Sequence, residues 1–464
     1  MNKNIFEFCS EFPVSSKEVF DWHKNESAFE RLSPPWDEVR IIERSKGIEK
    51  GARTIIDVRI WPIWKRWIAE HTDYTEGRSF TDFQITGPFA FWQHEHLVSP
   101  LTPNTSTLTD HIEYKLPMGI LGKIFGGAMI KQKLQKMFRY RHAIMRADLE
   151  DSILAKESPI KKVVVIGASG FVGTNLCAYF DSIGLSVSKV GRKKDNTKNS
   201  ASWDPNLGDP DPEIFENADA VIHLAGESIA GGLWTKAKKK RIRDSRVLST
   251  TSLSKVLSGL KNPPKVLLCA SGTGIYGDRK DELLDENSAH GTGFLTEVAE
   301  EWEGATERAT KSGIRVVNMR FGIVLSPAGG ALKELLIPFK MRMGAYWGKA
   351  SSAYMSWIAM DDLLGAIRFC MQNEKVYGPV NFVAPNPVTN YEFICALEKV
   401  FNQKAFLPVP SSLLKLFMGQ KAQDLLLSST RVHPNKLLEH KFEFRYPKIE
   451  DALKHLTGNA TKQH

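Results

Sequence analysis

The stretch VVVIGASGFVGTNLCAYF, residues 163–180, constrains this chain more than any other. A run of β-branched residues meets Gly167, Gly170 and Gly173, and an apolar pattern at helical spacing follows. G-x-x-G-x-x-G between a strand and a helix is the spacing of a phosphate-cradling turn. Gly167 permits the tight turn, Gly170 lets the backbone approach a pyrophosphate, and Gly173 lets the helix pack on the strand. Ala168, Ser169, Phe171 and Val172 complete the loop and open the helix, whose unpaired N–H groups face the phosphates. The next strand ends KVGRKKD. Arg192, Lys193 and Lys194 stand there, about twenty residues past the loop, where an acidic residue would hold a ribose 2′-hydroxyl. Cations suit a 2′-phosphate, so NADP(H) is the expected cofactor. The alternative is that Asp195 binds the ribose and the cations are solvated.

About a third of the 464 residues precede this loop, and a chain of that length holds two or three domains. From 161 the rhythm is strand, glycine turn, helix. Short apolar runs such as AVIHLAG (220–226) and KVLLCAS (265–271) alternate with helical patterns, which implies parallel strands joined by right-handed crossovers. Residues 161–385 therefore read as an α/β Rossmann domain, a doubly wound parallel sheet. Residues 386–464 read as a small, mostly helical cap. Residues 1–150 differ: SFTDFQITG (79–87) and STLTDHIEYKLP (106–117) alternate in strand fashion. SSKEVFDWHKNESAFERL (15–32) reads as a helix opened by a Ser15–Glu18 capping box, and 128–150 as a long final helix. Residues 151–160 read as a linker.

Hydrophobic residues make up 42% and charged residues 25% of the chain, so it can build real cores. The net charge of +9 suits an anionic ligand. The dense basic run KAKKKRIR (236–243) reads as a solvated helix face, and no nucleic-acid partner is expected. The five cysteines are scattered without a CxxC pair, so neither disulfides nor a zinc site is expected, and a reducing compartment fits. The first residues lack a signal-peptide pattern. MGILGKIFGGAMI (118–130) is too short to span a bilayer. The expected location is cytoplasmic, with no transmembrane segment.

Several stretches in order, among them ADAVIHLAGESIAGGLWT, RIRDSRVLSTTSL, SGTGIYGDRKDE, RFGIVLSPAGGAL and PVNFVAPNPVTNYEF, resemble the epimerase-like subfamily of extended short-chain dehydrogenases/reductases that carries a C-terminal domain of unknown function. The resemblance covers about 161–457. It implies that Leu224, Ala225, Gly226 and Glu227 lie along the cofactor. It puts Arg246 and Ser271 at the cofactor cleft, Ala384 and Pro385 near the nicotinamide side, and Asp219 near the loop. It also exposes a departure. Such dehydrogenases use Tyr-x-x-x-Lys on one helix, a spacing that puts both groups on one face; here Leu295 and Ala299 take those places. Ser271 and Tyr276 are the candidate catalytic residues. Glu297, Glu300 and Glu301 are alternative acid/base groups, with an exposed helix face as their simpler explanation. Trp302 reads as packing, Trp234 and Trp357 as a cleft floor or core, and Asp361 and Asp362 as helix caps.

The first 150 residues resemble the START-like, polyketide cyclase-like helix-grip group, most clearly in DHIEYKLPMGILGKIFGG and LQKMFRYRH. The resemblance implies a cavity between sheet and final helix, with an apolar small molecule as its possible ligand. Phe89, Phe91, Trp92, Ile120 and Leu121 are candidate cavity or core residues. His94 and His96 share one face of a strand, but with no third ligand evident no metal is expected. His111 and His142 complete the histidines noted there. An NADP(H)-dependent oxidoreductase or epimerase-like enzyme acting on a small, apolar or cyclic molecule is the leading reading. A non-catalytic NADP(H) sensor and a lipid-binding adaptor are the rivals. Oligomeric state is not fixed by the sequence.

Overall fold

The structure, a computed structural model, describes residues 3–45, 47–60, 62–117, 119–193, 199–340, 345–346, 352–405, 407–408, 421, 424 and 428–459. Lys194 and Asp195 lie outside them, as do the side chains of Ile120 and Leu121. Two compact units emerge: Met1–Glu157 with Ala178–Gly184, and Ser158–Cys177 with Leu185–His464.

The first unit runs β1 (Asn4–Phe12), α1 (Ser16–His23), α2 (Ala28–Leu32), β2 (Val39–Arg44), β3 (Arg53–Ile60), β4 (Ile63–Thr75), β5 (Ser79–Thr86), β6 (Phe91–Thr102), β7 (Thr105–Lys115) and α3 (Gly119–Glu157). The strands form one antiparallel sheet in the order β1-β7-β6-β5-β4-β3-β2. Ser15 and Glu18 make the expected capping box. The single helix expected over 15–32 is instead two, because the Asn25 side chain accepts the Ser27 N–H at 2.8 Å and so competes with the helical bond there. Every second residue of β7 is buried. Its Leu108 and Ile112 pack in cores that include Phe138, Met145 and Leu149 of α3, each buried side chain contributing about 1.5–3 kcal/mol. The linker expected at 151–160 is helical through Glu157. DSILAKE contains no helix breaker, and Ser158, which precedes Pro159, is disfavoured in the α region.

The second unit contains β8 (Lys162–Ile166), the start of α4 (Phe171–Ser182, whose residues from Ala178 on group with the first unit), β9 (Ser186–Gly191), β10 (Ser200–Ser202), β11 (Ala220–His223), α5 (Lys236–Leu257), β12 (Val266–Gly272), α6 (Phe294–Gly304), β13 (Arg315–Phe321), α7 (Met360–Gln372) and β14 (Gly378–Phe382). The sheet order is β10-β9-β8-β11-β12-β13-β14, with every pair parallel. This is the doubly wound architecture, with strand order reversing beside β8. KAKKKRIR opens α5, where Lys238 and Ile242 are buried and Lys240 and Arg243 pair with Asp244 and Glu301.

The boundary expected at 385/386 cuts through one core. Helices Asn390–Phe401 and Ile449–Thr457 pack together with Leu325, Leu336, Trp357 and Ala384. Trp357 is fully buried there and donates its indole N–H to Asn386 O at 3.1 Å; it is core and not a cleft floor. Asp361 and Asp362 do not cap α7, whose N-cap is Ala359. Asp361 pairs with His455 at 2.9 Å. The Asp362 carboxylate accepts the N–H groups of Arg445 (2.7 Å) and Tyr446 (3.0 Å). Burial raises its pKa to about 6 despite those bonds. The folded pKa lies above the unfolded one, so stability is greatest below the unfolded pKa and falls as pH rises to about 6. A shift of about two units corresponds to roughly 3 kcal/mol. Denaturant titrations from pH 4 to 7 are expected to show wild type losing about that much relative to Asp362→Asn, whose amide does not titrate. Parallel curves would contradict the assignment.

Candidate functional site

The glycine loop leaves β8 and presses against the end of β11. Gly167 has φ +83°, and a Cβ on it would stand 2.8 Å from the Ala225 nitrogen and 3.0 Å from the Leu224 carbonyl carbon. A Cβ on Gly173 would meet Gly167 O at 2.2 Å and Ala168 Cα at 2.9 Å, so the first turn of α4 rests directly on the loop backbone. At Gly170 the nearest atom would be Gly167 O, at 3.1 Å, and nothing else among the described residues beyond its chain neighbours lies within 4 Å. That side is open for a ligand. The loop closes through Gly170 N–H to Gly167 O at 2.9 Å. Ser169 Oγ lies beside Gly191 at the end of β9, and the Phe171 ring packs against Gly329 and Gly330. Val172 is half-buried, and Arg192 follows Gly191 and is exposed.

Glu227 connects these parts. Its N–H donates to Ser245 Oγ at 2.9 Å, and its carboxylate takes Lys238 Nζ at 2.7 Å. Lys238, then Arg241 and Arg192, hold that carboxylate below its ordinary pKa. Arg246 donates to Glu227 O and Ile242 O, both at 3.0 Å. Its guanidinium lies under Gly226 and over the Trp302 ring at 5.0 Å, and burial pulls its pKa down to about 10. Trp302 packs on Cys269 and Ala270 and donates to Thr250 Oγ1 at 2.9 Å. The structure thus gathers Gly167–Gly173, Leu224–Glu227 and Arg246 at the carboxyl ends of β8 and β11, the crevice where doubly wound sheets bind ligands. Asp219 sits at the opposite end of β11 and accepts the N–H groups of Lys161 (2.9 Å) and Lys162 (2.8 Å). Ala384 is buried in the C-terminal core, and Pro385 after it is half-buried.

Ser271 and Tyr276 belong to one buried polar chain. Ser271 Oγ donates to Glu303 Oε1 at 2.7 Å. Arg320 grips Glu303 with two bonds, Nε to Oε1 at 2.8 Å and an η-nitrogen to Oε2 at 2.9 Å. Its other η-nitrogen donates to the Tyr276 hydroxyl at 2.9 Å, which donates to Asn381 Oδ1 at 2.7 Å. Tyr276 is fully buried. Burial pushes its pKa up to about 12 against the pull of Arg320. On α6, Leu295 abuts Gly274 and Ala299 is packed among Ile275, Tyr276 and Leu284, so the Tyr-x-x-x-Lys positions are apolar. Glu300 and Glu301 pair with His290 and Arg243 near the surface, and Glu297 is exposed. The residues not foreseen are Glu303, Arg320 and Asn381. Trp234 donates to Ile229 O at 2.9 Å and meets Phe294 edge-on at 5.4 Å.

The first unit holds a cavity of about 830 Å³, within the range of small-molecule sites. Trp67, Phe80, Phe89 and Trp92 form part of its wall. Phe91 instead meets Phe83 edge-on at 5.6 Å and carries Lys3 over its ring. Asp82, His94 and His96 also face the cavity. Asp82 Oδ2 is the third metal-type donor that the sequence reading lacked, 3.1 Å from His94 Nδ1 and 3.8 Å from His96 Nε2. Asp110 lies behind them, within 2.8 Å of His94 and 2.5 Å of His142. Burial opposes ionisation of Asp82, but bonds from His94 and His96 more than reverse it and hold the carboxyl below its usual range. Burial pulls His94 down, and its two carboxylates carry it up to about 9. His111 pairs with Glu7 away from this cluster.

Residues 163–382 match the NAD dependent epimerase/dehydratase family, and 409–456 match a domain of unknown function, DUF1731. The chain is 37% identical over 295 residues to the epimerase family protein Mb2239 of Mycobacterium bovis, covering 64% of this chain and 97% of that one. It belongs to the epimerase family. A crystal structure from Corynebacterium glutamicum, described as a nucleoside-diphosphate sugar epimerase, superposes with TM-score 0.80 at 30% identity over 98% of this chain and 90% of that one. The human epimerase family protein SDR39U1, crystallised with NADPH, superposes with TM-score 0.59 at 29% identity, covering 64% of this chain and 99% of its own. Among the described residues no helix is long and apolar enough to cross a membrane.

Proposed function

We propose that this protein is an NADP(H)-binding, epimerase-like oxidoreductase acting on a small molecule. The observation that carries the reading is the glycine loop, open at Gly170, with Arg192 exposed at the end of the neighbouring strand. The loop backbone and the start of α4 would hold the pyrophosphate, and Arg192 the 2′-phosphate. The human relative crystallised with NADPH supports the choice of cofactor. When bound, the nicotinamide supplies or accepts a hydride. Ser271 would orient the substrate hydroxyl. Glu303, fixed by two bonds from Arg320, would keep Ser271 aimed. Tyr276, fully buried and bonded on both sides of its hydroxyl, would position Arg320 and leave substrate protons to other groups. A second reading is specifically favoured by apolar Leu295 and Ala299: a protein that binds NADP(H) without turning it over. In either case the antiparallel unit is a START-like, helix-grip module for an apolar ligand, a reading its cavity supports.

Replacing Arg192 with alanine tests the cofactor assignment. A charge-assisted bond to a phosphate contributes about 1.5–3 kcal/mol, so NADPH affinity is expected to fall roughly 10- to 100-fold and NADH affinity to stay unchanged. Equal losses for both cofactors, or none, would count against it. NADPH oxidation with carbonyl substrates then separates the two readings, since the second requires a cofactor that stays reduced.

A further inference from the structure

We propose that Asp82, His94 and His96 form a binding site for one divalent first-row transition cation, zinc or iron(II) in chemical class, inside the cavity of the N-terminal unit. The site is independent of the cofactor reading. Three neighbouring strands build it by register. Asp82 on β5 pairs with His94 on β6, and His96, two residues along the same face, pairs with Asp110 on β7. The three donor atoms lie within 4.8 Å of one another. A cation with bonds of about 2.0–2.2 Å needs donors roughly 3–4 Å apart, and the two distances from Asp82 Oδ2, 3.1 and 3.8 Å, already satisfy that.

The surroundings are those of a supported metal site. Metal-bound histidines commonly give their second ring nitrogen to a carboxylate, which fixes ring orientation. Here Asp110 takes that part for His94 and lies close beside His96. Asp110 Oδ1 is 2.8 Å from His94 Nε2 and 2.7 Å from His96 Nδ1. The second approach is close but lacks hydrogen-bond alignment. Asp110 Oδ2 is in turn held by His142 Nε2 at 2.5 Å. That leaves His94 Nδ1 and His96 Nε2 turned toward Asp82. The cation takes the space among these three atoms.

An independent observation comes from α1. His23 is 7% exposed, lines the same cavity, and lies 5.5 Å from His96 ring to ring. Its Nδ1–H donates to Val19 O at 2.8 Å, so Nε2 carries a lone pair. That atom is buried and has no partner among the described residues. A buried acceptor without a donor costs about 1–3 kcal/mol, and a water on the cation is a donor of the kind it lacks. Two imidazoles and one carboxylate leave coordination positions open, as in catalytic rather than structural sites. The cavity supplies room for an oxygen-bearing ligand to fill them.

The test uses the full-length protein, stripped with chelator and titrated with cobalt(II) as a spectroscopic stand-in. Visible d–d bands saturating at about one equivalent and displaced by zinc are expected. Asp82→Asn and His96→Gln are expected to abolish them, and Asp110→Asn to weaken binding about 10- to 100-fold. X-ray absorption of the zinc-loaded wild type needs no variant to fold; it is expected to show a nitrogen/oxygen shell with imidazole scattering. Absence of saturable bands in the wild type overturns the proposal. So do a sulfur shell, or bands undiminished in folded Asp82→Asn and His96→Gln proteins. In each of those cases the cluster is an ion-pair network compensating buried Asp110 and half-buried Asp82.

Discussion

Gly173→Val is expected to weaken NADPH binding by at least about 100-fold, a loss of two or more phosphate hydrogen bonds. The cause is steric and local. Even a Cβ at this position would lie 2.2 Å from Gly167 O and 2.9 Å from Ala168 Cα. Both are backbone atoms, so relief requires the loop to move away from α4. The N–H groups that would face the pyrophosphate move with it. Gly304→Ala is the matched control. Its Cβ meets nothing within 4 Å among the described residues at the end of α6, and alanine favours helix by about 0.5–1 kcal/mol over glycine. That variant is expected to bind NADPH as wild type does. Fluorescence titration of both checks the pair. Affinity of Gly173→Val within about threefold of wild type would remove the loop from the phosphate site.

Arg320→Met is expected to lower the unfolding temperature of the C-terminal unit by about 10 °C. The Arg320 and Glu303 side chains are only 3% and 13% exposed. Removing one partner of a buried pair leaves the other charge uncompensated, at a cost of about 3–5 kcal/mol. For a domain of this size, each kcal/mol shifts the midpoint by roughly 2–4 °C. The same variant leaves the Tyr276 hydroxyl with only its bond to Asn381 and loosens the Glu303 carboxylate that accepts from Ser271. Tyr276→Phe removes only the hydroxyl contacts to Arg320 and Asn381, and about 1–3 kcal/mol with them. Differential scanning calorimetry distinguishes the two. Arg320→Met melting within about 2 °C of wild type would mean that the chain of bonds from Ser271 to Asn381 does not hold the site together.

What the sequence revealed and what it hid follow from the range of the interactions. Gly167, Gly170 and Gly173 act within one turn, so spacing alone exposes the loop. The alternation of β7 and the capping box at Ser15 are equally local. The Ser271–Glu303–Arg320–Tyr276–Asn381 chain spans strands and a helix far apart in sequence, and only the sheet order brings it together. A signal for Glu303 did exist: it lies four residues after Ala299 and seven after Thr296, on the buried face of α6. Charge alone drew attention to Glu297, Glu300 and Glu301 instead. His94 and His96 were visible as a strand pair. Asp82 was not, because its place beside them depends on the β5–β6 register, which no local pattern encodes. The helix through 151–157 reads as a linker because its polar residues imitate one, although Asp151 and Ser152 are buried.

The proposed function requires one cofactor seat at the carboxyl ends of β8 and β11. Titrating the full-length wild-type protein calorimetrically, with NADPH and then with NADH, tests it most directly. One saturable site per chain, tighter for NADPH than for NADH, is the predicted result. No saturable heat with either nucleotide would contradict it and would leave the N-terminal cavity as the functional centre.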